Sequence, residues 1–296
     1  MNNPIRIITH SGSFHTDEIM AIAALDLYLK GAPYEVVRTR DMEVIATGDY
    51  VVDVGGVYDH EARRYDHHQQ GGAGQRENGI PYSSFGLVWK HYGEAIAGSK
   101  EVAEIIDRRL GHPIDLGDNG IETYTPTRTD TEPLTLHYMT AMFRPSWRST
   151  DHTDARFMEL LPIFRRFLEL VISDEQDNQE GRRIVEEIYQ EAEDKRVLVV
   201  EGRHPWVEVL ASHPEPLYAV YEKRDNDTWG VKCVRNRMEG FENRKGLPLA
   251  WAGLTGEALA AVSGVPDALF CHNKRFIAGA KSKEGALKLA QIALNT

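Results

Sequence analysis

The sequence predicts an α/β protein of two domains: an N-terminal domain with a mainly parallel sheet flanked by helices, and a smaller C-terminal α/β domain, with the active site in the cleft between them. Three observations predict this. The chain has 296 residues, more than the ~100–200 of an ordinary single domain. It opens with a strand, helix, strand, strand pattern. After about Lys195 its texture changes to short strands, which sets the domains at 1–194 and 195–296.

Pro4 to Ile8 reads as a strand. Asp17 to Leu29 follows as a helix, with Ile19, Met20, Ile22, Ala23, Leu25 and Leu29 at helical spacing and Gly31 at its end. Glu35 to Thr39 and Asp49 to Val54 read as further strands, the second an apolar run that suits a buried parallel sheet. Ligands of such sheets gather at the carboxyl ends of the strands. The turn after Ile8 and the exit Asp53-Val54-Gly55-Gly56 lie at such ends. Ser84 to Phe143 is mainly helical, interrupted at Gly111 to Gly120, and Asp154 to Ala192 reads as one or two long helices. The last third gives strands at Arg196–Val200, Leu217–Tyr221 and Trp229–Val234, a helix at Gly253–Val262, strands at Ala268–His272 and Phe276–Ala280, and a final helix capped by Ser282.

Composition narrows the class. Apolar residues at 42% and charged residues at 27% describe a globular chain rather than a disordered one. No apolar run approaches the ~20 residues of a membrane helix. Met1-Asn2-Asn3-Pro4 runs straight into a strand, so no signal or transit peptide is expected. Cys233 and Cys271 lack Cys-x-x-Cys spacing and sit in apolar runs, which predicts buried reduced thiols and a cytoplasmic location. The net charge of −11 is uneven: residues 1–194 hold 19 Lys and Arg against 34 Asp and Glu, and residues 195–296 hold 15 against 11. An acidic half suits cations and a mildly basic half suits anions, while the overall charge disfavours avid duplex binding.

The chemistry-bearing residues cluster early. His10, His15 and Asp17 leave one strand and enter one helix within eight residues, and three such side chains on one turn can converge on a cation. Asp53 ends an apolar strand, where a buried carboxylate is costly unless paired or coordinated, and Gly55 and Gly56 permit close backbone approach. In Asp66-His67-His68 adjacent side chains point in opposite directions, so one imidazole can ligate a metal while the other faces substrate, with Asp66 orienting a ring. Asp53, His68 and Asp66 are the catalytic candidates. A further carboxylate comes from Asp115 or Asp118, between which spacing does not decide.

The stretches THSGSFHTDE (9–18), VRTRD (37–41), VVDVGG (51–56), RRYDHHQ (63–69), DNGI (118–121), RKGLPLAWAGL (244–254) and FIAGAKSKEGA (276–286) span almost the whole chain. They resemble the melanocyte-proliferating-gene (MYG) family of metal-dependent hydrolases and exonucleases, within the DHH phosphoesterase superfamily. The resemblance implies an N-terminal DHH-type domain holding two divalent ions. His10, His15 and Asp53 would hold one; Asp17, Asp53, His67 and either Asp115 or Asp118 would hold the other; Asp53 would bridge, and His68 would face the phosphate. His15 departs from the wider superfamily, which usually carries Asp there. The nitrogen-rich set leaves Mn²⁺ as the first choice, with Zn²⁺, Co²⁺, Fe²⁺ or Mg²⁺ open.

Two such ions support in-line hydrolysis of a phosphoester. The implied activity is 3′-to-5′ exonuclease action on single-stranded RNA or short oligonucleotides, with a manganese-dependent pyrophosphatase or a non-catalytic metal-binding regulatory protein as alternatives. Arg244, Lys245 and Arg275 in the C-terminal motifs, or Arg38 and Arg40 on one face of a strand, are the candidate phosphate donors. The remaining histidines, His137 among them, have no second ligand at useful spacing.

Overall fold

The computed structural model describes residues 3–128, 130–223, 228–237 and 242–296, and divides into two compact units, Met1–Gln176 and Asp177–Thr296. The division falls inside one long helix; the change of texture near 194/195 marks that helix's end instead.

The first unit begins with β1 (Ile5–Thr9), α1 (Thr16–Leu29), β2 (Tyr34–Arg38), the short α2 (Met42–Ile45), β3 (Tyr50–Val52), β4 (Tyr58–Asp59) and β5 (Arg64–Tyr65). The strands form one sheet in the order β2-β1-β3-β5-β4, parallel except at the β4 edge. Helix α1 is apolar on every side from Ile19 through Leu25, and those residues are fully buried. It packs on α3 (Ser84–Ala97). α4 (Lys100–Ile106) follows, then a π-helical turn (Asp107–Gly111), α5 (His112–Asp118), α6 (Leu136–Phe143) and α7 (Thr153–Glu191). Gly111 to Gly120, expected to interrupt the helices, is helical as far as Asp118, with Pro113 standing directly after the π turn.

The parallel arrangement decides where chemistry gathers. β1, β3 and β5 run the same way as adjacent strands, so their carboxyl ends open on one edge of the sheet. His10 follows β1, Asp53 follows β3, and Asp66-His67-His68 follows β5.

β5 is held by a buried aromatic network. The Tyr65 hydroxyl meets His60 Nδ1 at 2.8 Å and the Tyr92 hydroxyl at 2.7 Å, His60 stacks on His91 with centroids 3.6 Å apart, and Tyr58 bonds His91 Nε2 at 2.7 Å. Burial, with His60 and Lys90 nearby, pushes the His91 pKa down to about 4. His91 is therefore neutral in the fold at a pH where the unfolded chain, with an ordinary value near 6.5, already takes up a proton. Stability is expected to fall as pH drops from about 6.5 towards 4. Thermal melts across that window should show a shallower loss for His91→Phe than for the wild type, and parallel curves would remove His91 from the account.

The second unit contains the end of α7, β6 (Val197–Val200), α8 (Trp206–Ser212), β7 (Tyr218–Glu222), β8 (Trp229–Cys233), α9 (Gly256–Ser263), β9 (Ala268–Cys271), β10 (Ile277–Ala280) and α10 (Lys283–Asn295). Its sheet runs β6-β7-β8-β10-β9, with only β6 and β7 parallel. Ser282 caps α10 through the Gly285 amide, as expected. Cys233 and Cys271 are buried free thiols. No described helix is long and apolar enough to cross a membrane.

Candidate metal centre

Asp53 is the hub. His10 Nε2 lies 3.2 Å from its carboxylate, His67 Nε2 3.4 Å and His68 Nδ1 3.4 Å, three imidazoles delivered by β1 and β5, the strands on either side of β3. Ser84, at the start of α3, donates its hydroxyl to Asp53 Oδ1 at 3.0 Å. Asp53 is 3% exposed and adopts φ 59°, a left-handed backbone that Asp and Asn tolerate better than other non-glycine residues. This conformation turns the chain at the sheet edge and aims the carboxylate at the histidines.

Helix α1 supplies a second wall. The His15 amide donates to both Glu18 oxygens, at 2.9 and 2.8 Å, and Glu18 also lies 3.1 Å from His10 Nε2. Asp17 is fully buried, accepts from the Ser84 amide at 3.3 Å, and lies 4.0 Å from His67. From α5, Asp118 reaches His67 Nε2 at 2.9 Å. Asp115 turns the other way: it pairs with Arg76 at 2.7 Å and accepts from the Ser83 hydroxyl and the Gly86 amide. Thus Asp118 stands with the histidines and Asp115 belongs to an ion-pair network behind them. Asp66 accepts from the Gly56 and His68 amides and holds His68 Nδ1 at 2.8 Å, leaving the rest of the ring 61% exposed over the cavity.

The electrostatics reflect crowded carboxylates. Burial raises the Asp17 pKa, and the charges of Asp53, Asp118 and Glu18 raise it further. Burial alone would lower His10 and His67, but Asp53 and Glu18 for the first, and Asp118 and Asp53 for the second, lift each to about 10. Burial works against ionisation of Asp53 and Asp66 too, but their imidazole partners outweigh it and lower both. Asp66 likewise raises His68.

A divalent cation fits this donor set. His10, His15, Glu18 and Asp53 each offer one atom within 4.8 Å of the others, as do Asp53, His67 and His68, and His15, Asp17 and Asp118. Ligand distances of ~2.0–2.2 Å place atoms on opposite sides of an ion about that far apart. Asp17 Oδ1 and His67 Nε2 are buried without a well-formed hydrogen bond among the described residues, although carboxylates surround the ring nitrogen. Buried polar atoms without partners are costly, and a shared cation satisfies both.

A cavity of about 310 Å³ opens beside these groups, lined by His10, His15, Arg40, Asp53, Asp66, His68 and the Val54–Gly56 backbone. Arg40 donates to the Ser11 carbonyl at 3.2 Å, and its Nη2 lies 3.2 Å from His10 Nδ1. Arg38 does not share that position. It packs over Phe14 and Phe157 and binds Asp154 and the Gly12 carbonyl. In the second unit, Arg244 donates to the carbonyls of Leu210, Ala211 and Pro216, Lys245 to that of Leu294, and Arg275 to that of Leu247.

The residues missed in the sequence are Glu18, Ser84 and Arg76. Glu18 carried a usable signal, since a glutamate three residues into a helix often caps its start. Ser84 and Arg76 reach Asp53 and Asp115 only through tertiary packing.

A family model named MYG1_exonuc, described as "Uncharacterised protein family (UPF0160)", matches residues 6–294. The chain is 33% identical over 327 residues to the MYG1 exonuclease of Homo sapiens, covering 98% of this chain and 86% of that one. It is 31% identical to a Caenorhabditis elegans MYG1 protein, covering 97% and 94%, and 29% identical to one from Schizosaccharomyces pombe, covering 100% and 99%.

Proposed function

The chain belongs to the MYG1 family, and from that premise and the site's geometry we propose that it is a metal-dependent phosphoesterase of DHH type. Its proposed activity is 3′-to-5′ exonuclease action on single-stranded RNA or short oligonucleotides. The observation that carries the reading is the gathering of His10, His67 and His68 nitrogens around the one buried Asp53 carboxylate. Two donor groups share that carboxylate, as a two-ion centre requires. The family relative named an exonuclease supports hydrolysis of a nucleic acid.

In this reading His10, His15, Glu18 and Asp53 hold one ion, and Asp17, Asp53, His67 and Asp118 the other, with Mn²⁺ preferred. Bound divalent ions supply Lewis acidity towards water and phosphate. The remaining work falls to the protein. Asp66 fixes the His68 ring through Nδ1 and raises its pKa, so His68 keeps a proton on the edge facing the cavity and delivers it to the departing oxygen. Arg40, at the cavity wall, offers its guanidinium to a non-reacting phosphate oxygen. We place this activity in the cytoplasm.

The test is hydrolysis by metal-stripped protein of short RNA, short DNA, a nitrophenyl phosphodiester and pyrophosphate, each with Mn²⁺, Mg²⁺, Zn²⁺ or no addition. Mn²⁺-dependent shortening of RNA from its 3′ end is the expected result. Turnover of pyrophosphate alone would move the chain to a pyrophosphatase activity. No turnover of any substrate by protein that still binds two metals would leave a regulatory metal-binding protein.

A further inference from the structure

A cavity of about 430 Å³ lies between the end of α6 and the start of α7, lined by residues 142–146 together with Ser149 and Arg156. Its polar walls are Arg144, Ser146, Ser149 and Arg156, and no carboxylate lines it. Over residues 1–194 acidic side chains outnumber basic ones by 34 to 19, so a wall with two arginines and no acid stands out there.

The donors of this wall are in surplus. Arg144 uses Nε on the Phe14 carbonyl at 2.7 Å, and its two terminal nitrogens have no partner among the described residues. Ser146 Oγ accepts from the Arg148 amide at 3.3 Å and Ser149 Oγ from the Asp151 amide at 3.1 Å, so each hydroxyl keeps its proton to give. Arg156 is already answered by Asp151 and Glu159. Three donor groups without acceptors, in a wall without acids, suit an anion such as phosphate. Between the two serines the chain turns, with the Ser149 amide on the Ser146 carbonyl at 2.9 Å. The turn presents Trp147 at 86% exposure, with the Arg148 guanidinium 4.5 Å from its ring centre. Exposed aromatic rings beside cationic grooves hold single-stranded nucleic acid by stacking bases while the cations follow the phosphates.

The cavity is tied to the metal centre through the residues on both sides of His15. Arg144 holds the carbonyl of Phe14, and Thr140 of α6 meets the Thr16 hydroxyl at 2.9 Å. His15 itself is exposed and lines the cavity that Asp53 also lines. One step of chain therefore separates a wall of the metal cavity from the atom that Arg144 binds.

We propose that this cavity takes the phosphodiester next to the one at the metal centre, with Arg144, Ser146 and Ser149 donating to its oxygens and Trp147 stacking on the adjoining base. The inference rests on the phosphoesterase reading for the phosphate at Asp53, and it deepens that reading by naming what the substrate must carry: a second phosphodiester in a single strand. A molecule with one phosphate reaches the metal centre alone.

The test compares the full chain as purified with Arg144→Gln and Trp147→Ala. It reads binding of a short fluorescein-labelled phosphorothioate RNA by anisotropy across salt concentrations, turnover of short RNA and of a nitrophenyl phosphodiester, and metal content. Each substitution is expected to weaken RNA binding about tenfold. Arg144→Gln should also flatten the slope of log affinity against log salt by about 0.7, the share of one phosphate on a single strand, and Trp147→Ala should leave that slope as it is. In both variants the loss should fall several-fold more on RNA than on the nitrophenyl diester, with metal content unchanged. Equal losses on the two substrates in Arg144→Gln would show that the arginine acts only by holding the Phe14 turn, and would overturn the subsite. Wild-type RNA affinity in Trp147→Ala, whose exposed side chain can be removed without disturbing the core, would overturn it as well. RNA hydrolysis with binding indifferent to both substitutions would remove the subsite and keep the phosphoesterase. RNA binding that both substitutions weaken, without hydrolysis of any phosphoester, would keep a single-strand site and remove the phosphoesterase.

Discussion

Replacing Asp53 by alanine is expected to lower phosphoester hydrolysis by on the order of 10³-fold or more and, on the proposed two-ion reading, to leave fewer than one bound metal ion per chain. The scale follows from comparison with indirect partners, whose loss at metal sites costs ~10–100-fold. Asp53 is common to the two donor groups that include it, so its removal opens both. Ser84→Ala removes only the hydroxyl that donates to Asp53 Oδ1 and should fall in the lower range. Because the backbone at Asp53 is left-handed, Asp53→Asn is the companion variant: asparagine accepts that conformation and isolates the loss of charge from any strain. Elemental analysis and turnover of the same preparations give the comparison. Turnover within about threefold of wild type in Asp53→Ala would show that the chemistry lies elsewhere.

Arg76→Met is expected to destabilise the first unit by roughly 3–5 kcal/mol, the cost of leaving a buried carboxylate without its partner. Arg76 is 9% exposed, makes a paired contact with Asp107 at 2.8 and 2.6 Å, lies over the Tyr82 ring, and sits 2.7 Å from the fully buried Asp115. Burial already lifts the Asp115 pKa to about 6, against the opposing pull of Arg76 and Ser83. Removing both ends of the pair, as in Arg76→Met with Asp115→Leu, should recover much of the stability, since an isosteric apolar pair can match a buried ion pair. Denaturant unfolding of the single and double variants measures this. The same series separates the two carboxylates of α5: Asp118→Asn should lower metal content and Asp115→Asn should not. Metal lost from Asp115→Asn with the fold intact would place Asp115 in the metal centre.

How much of this was legible in the sequence depended on how local each signal was. The His10 to Asp17 turn, the Asp53 strand end and the Asp66-His67-His68 run are short segments whose residue types and flanking hydrophobic runs can be read directly. Their convergence depends on β1, β3 and β5 being adjacent and parallel, which an apolar run only hints at. The choice between Asp115 and Asp118 was not legible. They sit three residues apart on one helix, and what separates them is Arg76, contributed by a loop far away in the chain. Arg38 and Arg40, two apart on what reads as a strand, were expected to share a face. β2 ends at Arg38, so the alternation that governs a strand does not extend to Arg40. The helical nature of Gly111 to Asp118 was hidden because its two glycines are packing residues: a methyl at Gly117 would strike His137, and one at Gly111 would lie 2.2 Å from Asp107.

The π turn at Asp107–Gly111 sets the timing of everything that follows it on the same helical run. A π turn accommodates one more residue than the α-helical path, and each residue of an α-helix advances the side chain by about 100°. Were the same residues to close here as ordinary α-helix, α5 would be rotated by roughly a quarter of a circle, swinging Asp118 off His67, Asp115 off Arg76 and Gly117 out from under His137 while leaving every one of those side chains in the sequence. The centre is thus specified by counting as well as by composition. Losing the wide turn without losing a residue would act like a slipped gear tooth, and no substitution at the ligands themselves could restore the mesh.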